Sequence, residues 1–248
     1  MLSIQNVSKS YAKSGVKAVD NLNLGVKPGE IFGFIGPNGA GKTTTIKMMT
    51  GILMPDAGSI TINGHDMQKD PLAAKQSIGF VPDTHEIYDA LKGIEYLNFM
   101  ADMYGVNDRD KNQRMEKYLH MLELSSAVSE PIKSYSHGMK QKLTIIGALL
   151  HDPALWVLDE PLTGLDPKSS HLLKTSMQEH CSRGNTVFFS THILEVAERL
   201  CHRIGIIAEG KLVAVGTLDE LRSNRLDASL ENIFLEITDK EDFTQEAL

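Results

Sequence analysis

The chain has 248 residues, 42% hydrophobic and 23% charged, and a net charge of −7. That length supports a large domain with a real core, and the acidic balance argues against a generic nucleic-acid binder, which carries a basic excess. The two cysteines, Cys181 and Cys201, form no disulfide framework and match no zinc spacing with His180 or His202, which points to a reducing cytosolic setting.

In chain order, Leu2, Ile4, Leu22, Leu24 and Val26 alternate with polar residues, the period of half-buried strands. Lys27-Pro28-Gly29-Glu30 reads as a turn, and Ile31-Phe32-Gly33-Phe34-Ile35 as a strand buried on both faces. A glycine-rich break follows, then a helix over 43–50 with Gly51 at its C-terminus. Short strands are expected over 59–64 and 77–81. From about Tyr88 to Leu150 the texture is helical, with Met100, Met103, Met115 and Met121 read as core filling. After Ser136 a helix carries Met139, Leu143, Ile146 and Leu150 along one side. Further strands are expected at 155–158, 186–190 and 203–207, the last turning through Glu209-Gly210 into 211–215. Strands alternating with helices imply an α/β fold with a mostly parallel sheet covered on both faces, preceded by an antiparallel β region. The division expected is a core of residues 1–86 and 152–216, a helical insertion over 87–151, and a short C-terminal extension over 217–248. No stretch approaches the roughly 20 apolar residues that span a bilayer. The N-terminus shows no basic-then-apolar leader, so a membrane role is expected to come through a partner.

Two constellations carry chemistry. Gly36-Pro37-Asn38-Gly39-Ala40-Gly41-Lys42-Thr43, followed by Thr44, satisfies G-x-x-x-x-G-K-[ST] between a strand and a helix, the context that motif requires. Its glycines let backbone N–H groups face phosphate oxygens, and the helix N-terminus adds partial positive charge. That dipole contributes about 0.3–1 kcal/mol at an exposed site, whereas micromolar affinity needs about 8 kcal/mol. Lys42, the N–H groups and a metal must supply most of the difference, with the Thr43 hydroxyl on Mg²⁺. The second constellation, Leu155-Trp156-Val157-Leu158-Asp159-Glu160, delivers two carboxylates at the C-terminal end of a buried strand, where open α/β sheets bind ligands. Asp159 would hold Mg²⁺ through water, and Glu160 would orient or deprotonate an attacking water. Alone, Ser136 reads as a helix N-cap and His192, after a buried strand, as structural.

The order of these pieces resembles the ATP-binding subunit of ABC transporters along nearly the whole chain. Residues 36–43 match the Walker A loop and 155–160 the Walker B strand. Ser136-His137-Gly138-Met139 lies where that family has its signature turn, Thr163-Gly164-Leu165-Asp166 resembles the D-loop, His192 falls at the switch histidine, and Tyr11 sits where an aromatic ring stacks on adenine. Two departures stand out. Asp83, in Val81-Pro82-Asp83, replaces a usual glutamine; it can still accept bonds from water and Mg²⁺ but cannot donate an amide proton. The signature turn carries His137 and Met139 where glycine and glutamine are common; Ser136 and Gly138 are retained, and His137 is expected to face solvent.

The resemblance implies an ATPase using Mg²⁺, in which two such subunits sandwich two ATP molecules, each Walker loop facing the other subunit's signature turn. Ser136, Gly138 and Asp166 would then act across the dimer, and His192 would sense the γ-phosphate. It also implies a transmembrane permease as partner and a cytoplasmic place on the inner face of the membrane, with no nucleic acid involved. The stretch 227–237 resembles the C-terminal part of bacterial exporter subunits, which implies export.

Overall fold

The computed structural model describes residues 1–11, 16–84, 87–222 and 229–236. The chain opens with β1 (Leu2–Ser10), β2 (Lys17–Val26), β3 (Ile31–Ile35), α1 (Lys42–Met49), β4 (Ala57–Ile62), β5 (His65–Asp66), α2 (Pro71–Gln76) and β6 (Ile78–Val81). Helices α3 (Gly93–Met103), α4 (Asp108–Met121) and α5 (His137–Leu149) follow. The remainder is β7 (Leu155–Leu158), α6 (Pro167–Ser182), β8 (Thr186–Thr191), α7 (Leu194–Leu200), β9 (Arg203–Ala208), β10 (Lys211–Gly216) and α8 (Leu218–Arg222).

Two sheets form. One is antiparallel, in the order β2-β1-β4-β5; the other has the order β10-β9-β3-β8-β7-β6. In the second, β9, β3, β8, β7 and β6 run parallel and only β10 is antiparallel. The β9–β10 hairpin turns through Glu209 and Gly210, both at positive φ (46° and 79°), the backbone that a two-residue primed turn requires. This is the α/β architecture expected from the sequence, with its antiparallel N-terminal region.

The apolar runs are continuous because both faces of the parallel sheet are covered, and side chains alternate between them. Phe32, Phe34, Leu155, Val157 and Phe188 pack toward α1 and the antiparallel sheet. Ile31, Trp156, Leu158, Val187 and Phe189 pack toward helices α3 to α6. A smaller cluster joins Ile35, Ala197, Ile204 and Ile206 to Leu230 and Ile233, in a helical stretch over 230–236. Gly51, just past α1, has φ 66°, the left-handed cap that its place after the helix suggested.

Two local expectations change. Helix α5 was expected to be amphipathic, but Gln141 and every residue from Leu143 to Leu149 are buried, because its second half lies between the other helices and the sheet. Among the four methionines, Met115 is buried and Met100 and Met121 pack against the core. Met103, at the end of α3, is 65% exposed.

Two histidines lie deep beside this core. His151 Nε2–H donates to the Ile78 carbonyl at 3.0 Å, and its ring stacks on Tyr104. His180 meets Trp156 edge-on. Burial is the main cause that pushes both imidazoles down to about 4, against about 6.5 in an unfolded chain. The folded state therefore holds them neutral, while the unfolded chain takes up protons below pH 6.5. Stability is fully present above that value and is lost as pH falls toward 4. Unfolding by urea should show a loss on the order of 1 kcal/mol per histidine between pH 7 and 5. His151→Gln with His180→Gln should flatten the pH dependence; an equally steep fall in that double variant would place the acid sensitivity elsewhere.

Candidate functional site

The parallel sheet assembles the site, because strands running the same way end at the same edge. At that edge β3 leads into residues 36–43, β7 into Asp159 and Glu160, β8 into His192, and β6 into Asp83 two residues beyond its end. Register fixes their mutual placement. Val81 pairs with Leu158 and Leu158 with Phe189, and the Asp159 N–H donates to the Val81 carbonyl at 2.9 Å.

The glycine-rich loop over 36–43 is shaped by close backbone approach. A Cβ on Gly36 would stand 2.3 Å from the Ile207 carbonyl oxygen, and one on Gly41, at φ 105°, 2.4 Å from that of Ala18. Only glycine fits either place. Lys42 folds back over the loop: its Nζ donates to the carbonyls of Gly36 at 2.7 Å and Pro37 at 3.1 Å and lies 3.8 Å from Glu160 Oε1. A cleft of about 220 Å³ opens here, lined by Asn38, Lys42, Thr43, Thr44, Asp83 and Glu160 among others. Ala40 is buried, tied to the β9–β10 turn by the Gly210 N–H donating to its carbonyl at 3.0 Å.

Asp159 is 3% exposed. The Ser190 hydroxyl donates to its Oδ1 at 2.6 Å and accepts from the Glu160 N–H at 3.0 Å, so one hydroxyl fixes the directions of both carboxylate-bearing residues. Glu160 sits at φ 49°, a left-handed backbone costing a residue with a side chain about 1–3 kcal/mol; that strain aims its carboxylate into the cleft. Glu160 Oε2 lies 2.9 Å from His192 Nδ1. A carboxylate oxygen accepts, so Nδ1 carries the proton in this contact. Glu160 thus faces the Lys42 ammonium on one side and the His192 ring on the other.

Tyr11 borders a second cleft of about 650 Å³ that shares Ala18 and Gly39 with the first. Its hydroxyl is 3.4 Å from Thr44 Oγ1. Ser136, Gly138 and Asp166 gather elsewhere and do not line the cleft beside Lys42. Ser136 caps α5, accepting from the Met139 N–H at 3.3 Å, and Asp166 caps α6, accepting from the Ser169 N–H at 2.9 Å. Lys142 Nζ is 3.9 Å from Asp166, and a Cβ on Gly164 would meet the His137 ring at 2.9 Å. His137 is exposed, as expected, while lying over that glycine.

Two residues that organise the site escaped the sequence reading. In the sequence Ser190 is only the last residue of the strand expected over 186–190, and nothing but the β7–β8 register reveals that it stands beside Asp159. Gln141 is 1% exposed and its Nε2 donates to the Pro161 carbonyl at 2.5 Å, which ties the start of α5 to the loop after Glu160. Gln141 lies opposite Met139, Leu143, Ile146 and Leu150 on the helix, so the apolar spacing gave no signal of its burial.

Among the described residues no helix is long and apolar enough to cross a membrane. The family model for ABC transporters matches residues 19–163. The linearmycin resistance ATP-binding protein LnrL of Bacillus subtilis (strain 168) is 40% identical over 224 residues, 90% of this chain and 71% of that protein. A solved structure described as the ATP binding subunit of an ABC transporter superposes with a TM-score of 0.91 at 34% identity, covering 96% of this chain and 99% of the other. A dimeric ATP-binding cassette in a post-hydrolysis state, bound to ADP and phosphate, gives a TM-score of 0.79 at 25% identity, with 88% and 99% covered. The chain belongs to the ABC transporter family, as an ATP-binding subunit that hydrolyses ATP.

Proposed function

We propose that this chain binds MgATP on residues 36–43 and couples its hydrolysis, through closure of a dimer, to transport by a separate membrane permease. The observation that carries the reading is the convergence of the phosphate loop, Asp159, Glu160 and His192 at one sheet edge. Backbone N–H groups of 39–44 and the Lys42 ammonium hold the β- and γ-phosphates; Tyr11, beside the adjoining cleft, stacks on the adenine. Glu160, held by Lys42 and His192, takes a proton from the attacking water, and His192 reports the γ-phosphate.

The donor set suits magnesium. The Thr43 hydroxyl and the Asp159 and Asp83 carboxylates are hard oxygen ligands, and Mg²⁺ is commonly bound by one or two such side chains together with phosphate oxygens and water. Bound there, it would supply positive charge against the charge that develops on the phosphates during transfer. Thr43, Asp83 and Asp159, the last directed by Ser190, are the residues that would hold it.

Ser136 and Asp166 stand away from their own chain's cleft. That placement supports a sandwich in which the α5 N-terminus of one copy completes the charge of a γ-phosphate bound to the other. ATP then favours the closed dimer because it binds that state better. Residues 87–151, as a helical insertion in a core of 1–86 and 152–216, would transmit closure to a permease at the inner face of the membrane. Export as the direction draws on the stretch 227–237, of which only 229–236 falls among the described residues, and on the resistance function named for LnrL.

Mixing Ser136→Ala and Lys42→Ala chains tests the shared sites. A mixed dimer keeps one site with both residues and one with neither. ATPase activity should return on mixing, relative to either pure variant, when the chain is assembled with its membrane partner. Activity in the mixture no higher than in the pure variants would mean that each copy works alone.

A further inference from the structure

We propose that Leu230 and Ile233, in the terminal helical stretch over 230–236, are positioning residues for His192, resting on the role given to that histidine above. Ser229 starts the stretch: its hydroxyl accepts from the Asn232 N–H at 3.3 Å and its carbonyl from the Ile233 N–H at 3.2 Å. Leu230 and Ile233, three apart, present one helical face and are buried, at 0% and 6% exposure. They pack in one cluster with Ile35, Ala197, Ile204 and Ile206, with Leu194 at its edge.

The site's backbone leaves the sheet from this same patch. Ile35 ends β3 and pairs in parallel register with Thr191, which ends β8. The next residue on one strand is Gly36, the first of the phosphate loop; on the other it is His192. Helix α7 begins two residues after His192 and buries Ala197 in the patch. An ion pair from Arg222 of α8 to Glu198 of α7, at 2.9 Å, ties the same helix from a second side.

The His192 side chain is 56% exposed, so contacts around its ring constrain it weakly. Its place beside Glu160 is set by the backbone that carries it, running from Thr191 into α7. The terminal stretch packs in one cluster with Ile35, the partner of Thr191 in the sheet, and with Ala197 of α7. Truncating a buried leucine leaves a cavity into which neighbours relax only in part, and here the neighbours are Ile35 and α7. A displacement of about 1 Å at a reacting group can cost on the order of 10²-fold in rate.

The test is a double-mutant cycle on ATP hydrolysis by the full chain, with kcat and KM for ATP read separately. Leu230→Ala should lower kcat by about 10-fold and shift KM by less than about 2-fold. Leu230→Met, which keeps the volume, should restore most of the rate. In a His192→Ala background, Leu230→Ala should bring no further loss, because the group it positions is gone. Ile233→Ala should behave in the same way. If Leu230→Ala does not yield folded protein, Leu230→Val runs the same cycle with a smaller truncation. Equal proportional loss in both backgrounds, or a loss lying in KM, would overturn the proposal and leave these residues a structural role. A His192→Ala chain with unchanged kcat would overturn it by a separate route, removing the role on which it rests.

Discussion

Glu160→Gln is expected to slow ATP turnover by about 10²–10⁴ while ATP binding survives. The amide is nearly isosteric with the carboxylate, so the cleft keeps its shape. It can still accept from His192 Nδ1–H, which now stands 2.9 Å from Oε2, and the Glu160 N–H keeps its bond to Ser190. The lost property is the ability to take a proton, which is the one the attacking water needs. Removing the negative charge that faces Lys42 at 3.8 Å does not weaken the attraction of that lysine for phosphate. Single-turnover hydrolysis beside equilibrium ATP binding separates the two effects. An unaltered hydrolysis rate would remove Glu160 from this role, and a matching loss of binding would make it a nucleotide-holding residue.

Much of this was legible in the sequence because local chemistry demanded it. The loop at 36–43 needs glycine where Ile207 and Ala18 carbonyls press within 2.4 Å of a would-be Cβ, and Lys42 and Thr43 follow at fixed spacing. The runs Ile31 to Ile35 and Leu155 to Leu158 could be read as strands buried on both sides, and they are. The less legible parts depend on register and tertiary contact. Ser190 earns its place only because parallel pairing sets Leu158 opposite Phe189, and no spacing in the chain announces that. His192 read as structural in isolation; its bond to Glu160 crosses 32 positions of sequence. The residues read as one side of α5, Met139, Leu143, Ile146 and Leu150, do pack in the core, but the other side of its second half is enclosed as well, which an amphipathic pattern does not announce. The burial of Leu230 and Ile233 beneath the end of β3 joins positions nearly 200 residues apart, beyond any pattern of period.

The second large effect concerns Lys42. Its side chain is 7% exposed and its ammonium donates to two loop carbonyls, so it is held in place at the cleft before any ligand arrives. A charged hydrogen bond contributes about 1.5–3 kcal/mol, and tenfold in affinity corresponds to about 1.4 kcal/mol. Lys42→Ala should therefore weaken ATP binding on the order of 10–100-fold. The thermal midpoint of the variant should be followed in parallel, since the same substitution removes both bonds that close the loop. The most direct measurement is a calorimetric titration of the purified chain with ATP, with magnesium and then with a chelator, on wild type and Lys42→Ala. The predicted result is magnesium-dependent binding to the wild type, weakened by that factor in a variant that remains folded. No magnesium-dependent affinity for ATP, or equal affinity in the two chains, would contradict the placement of the triphosphate on this loop.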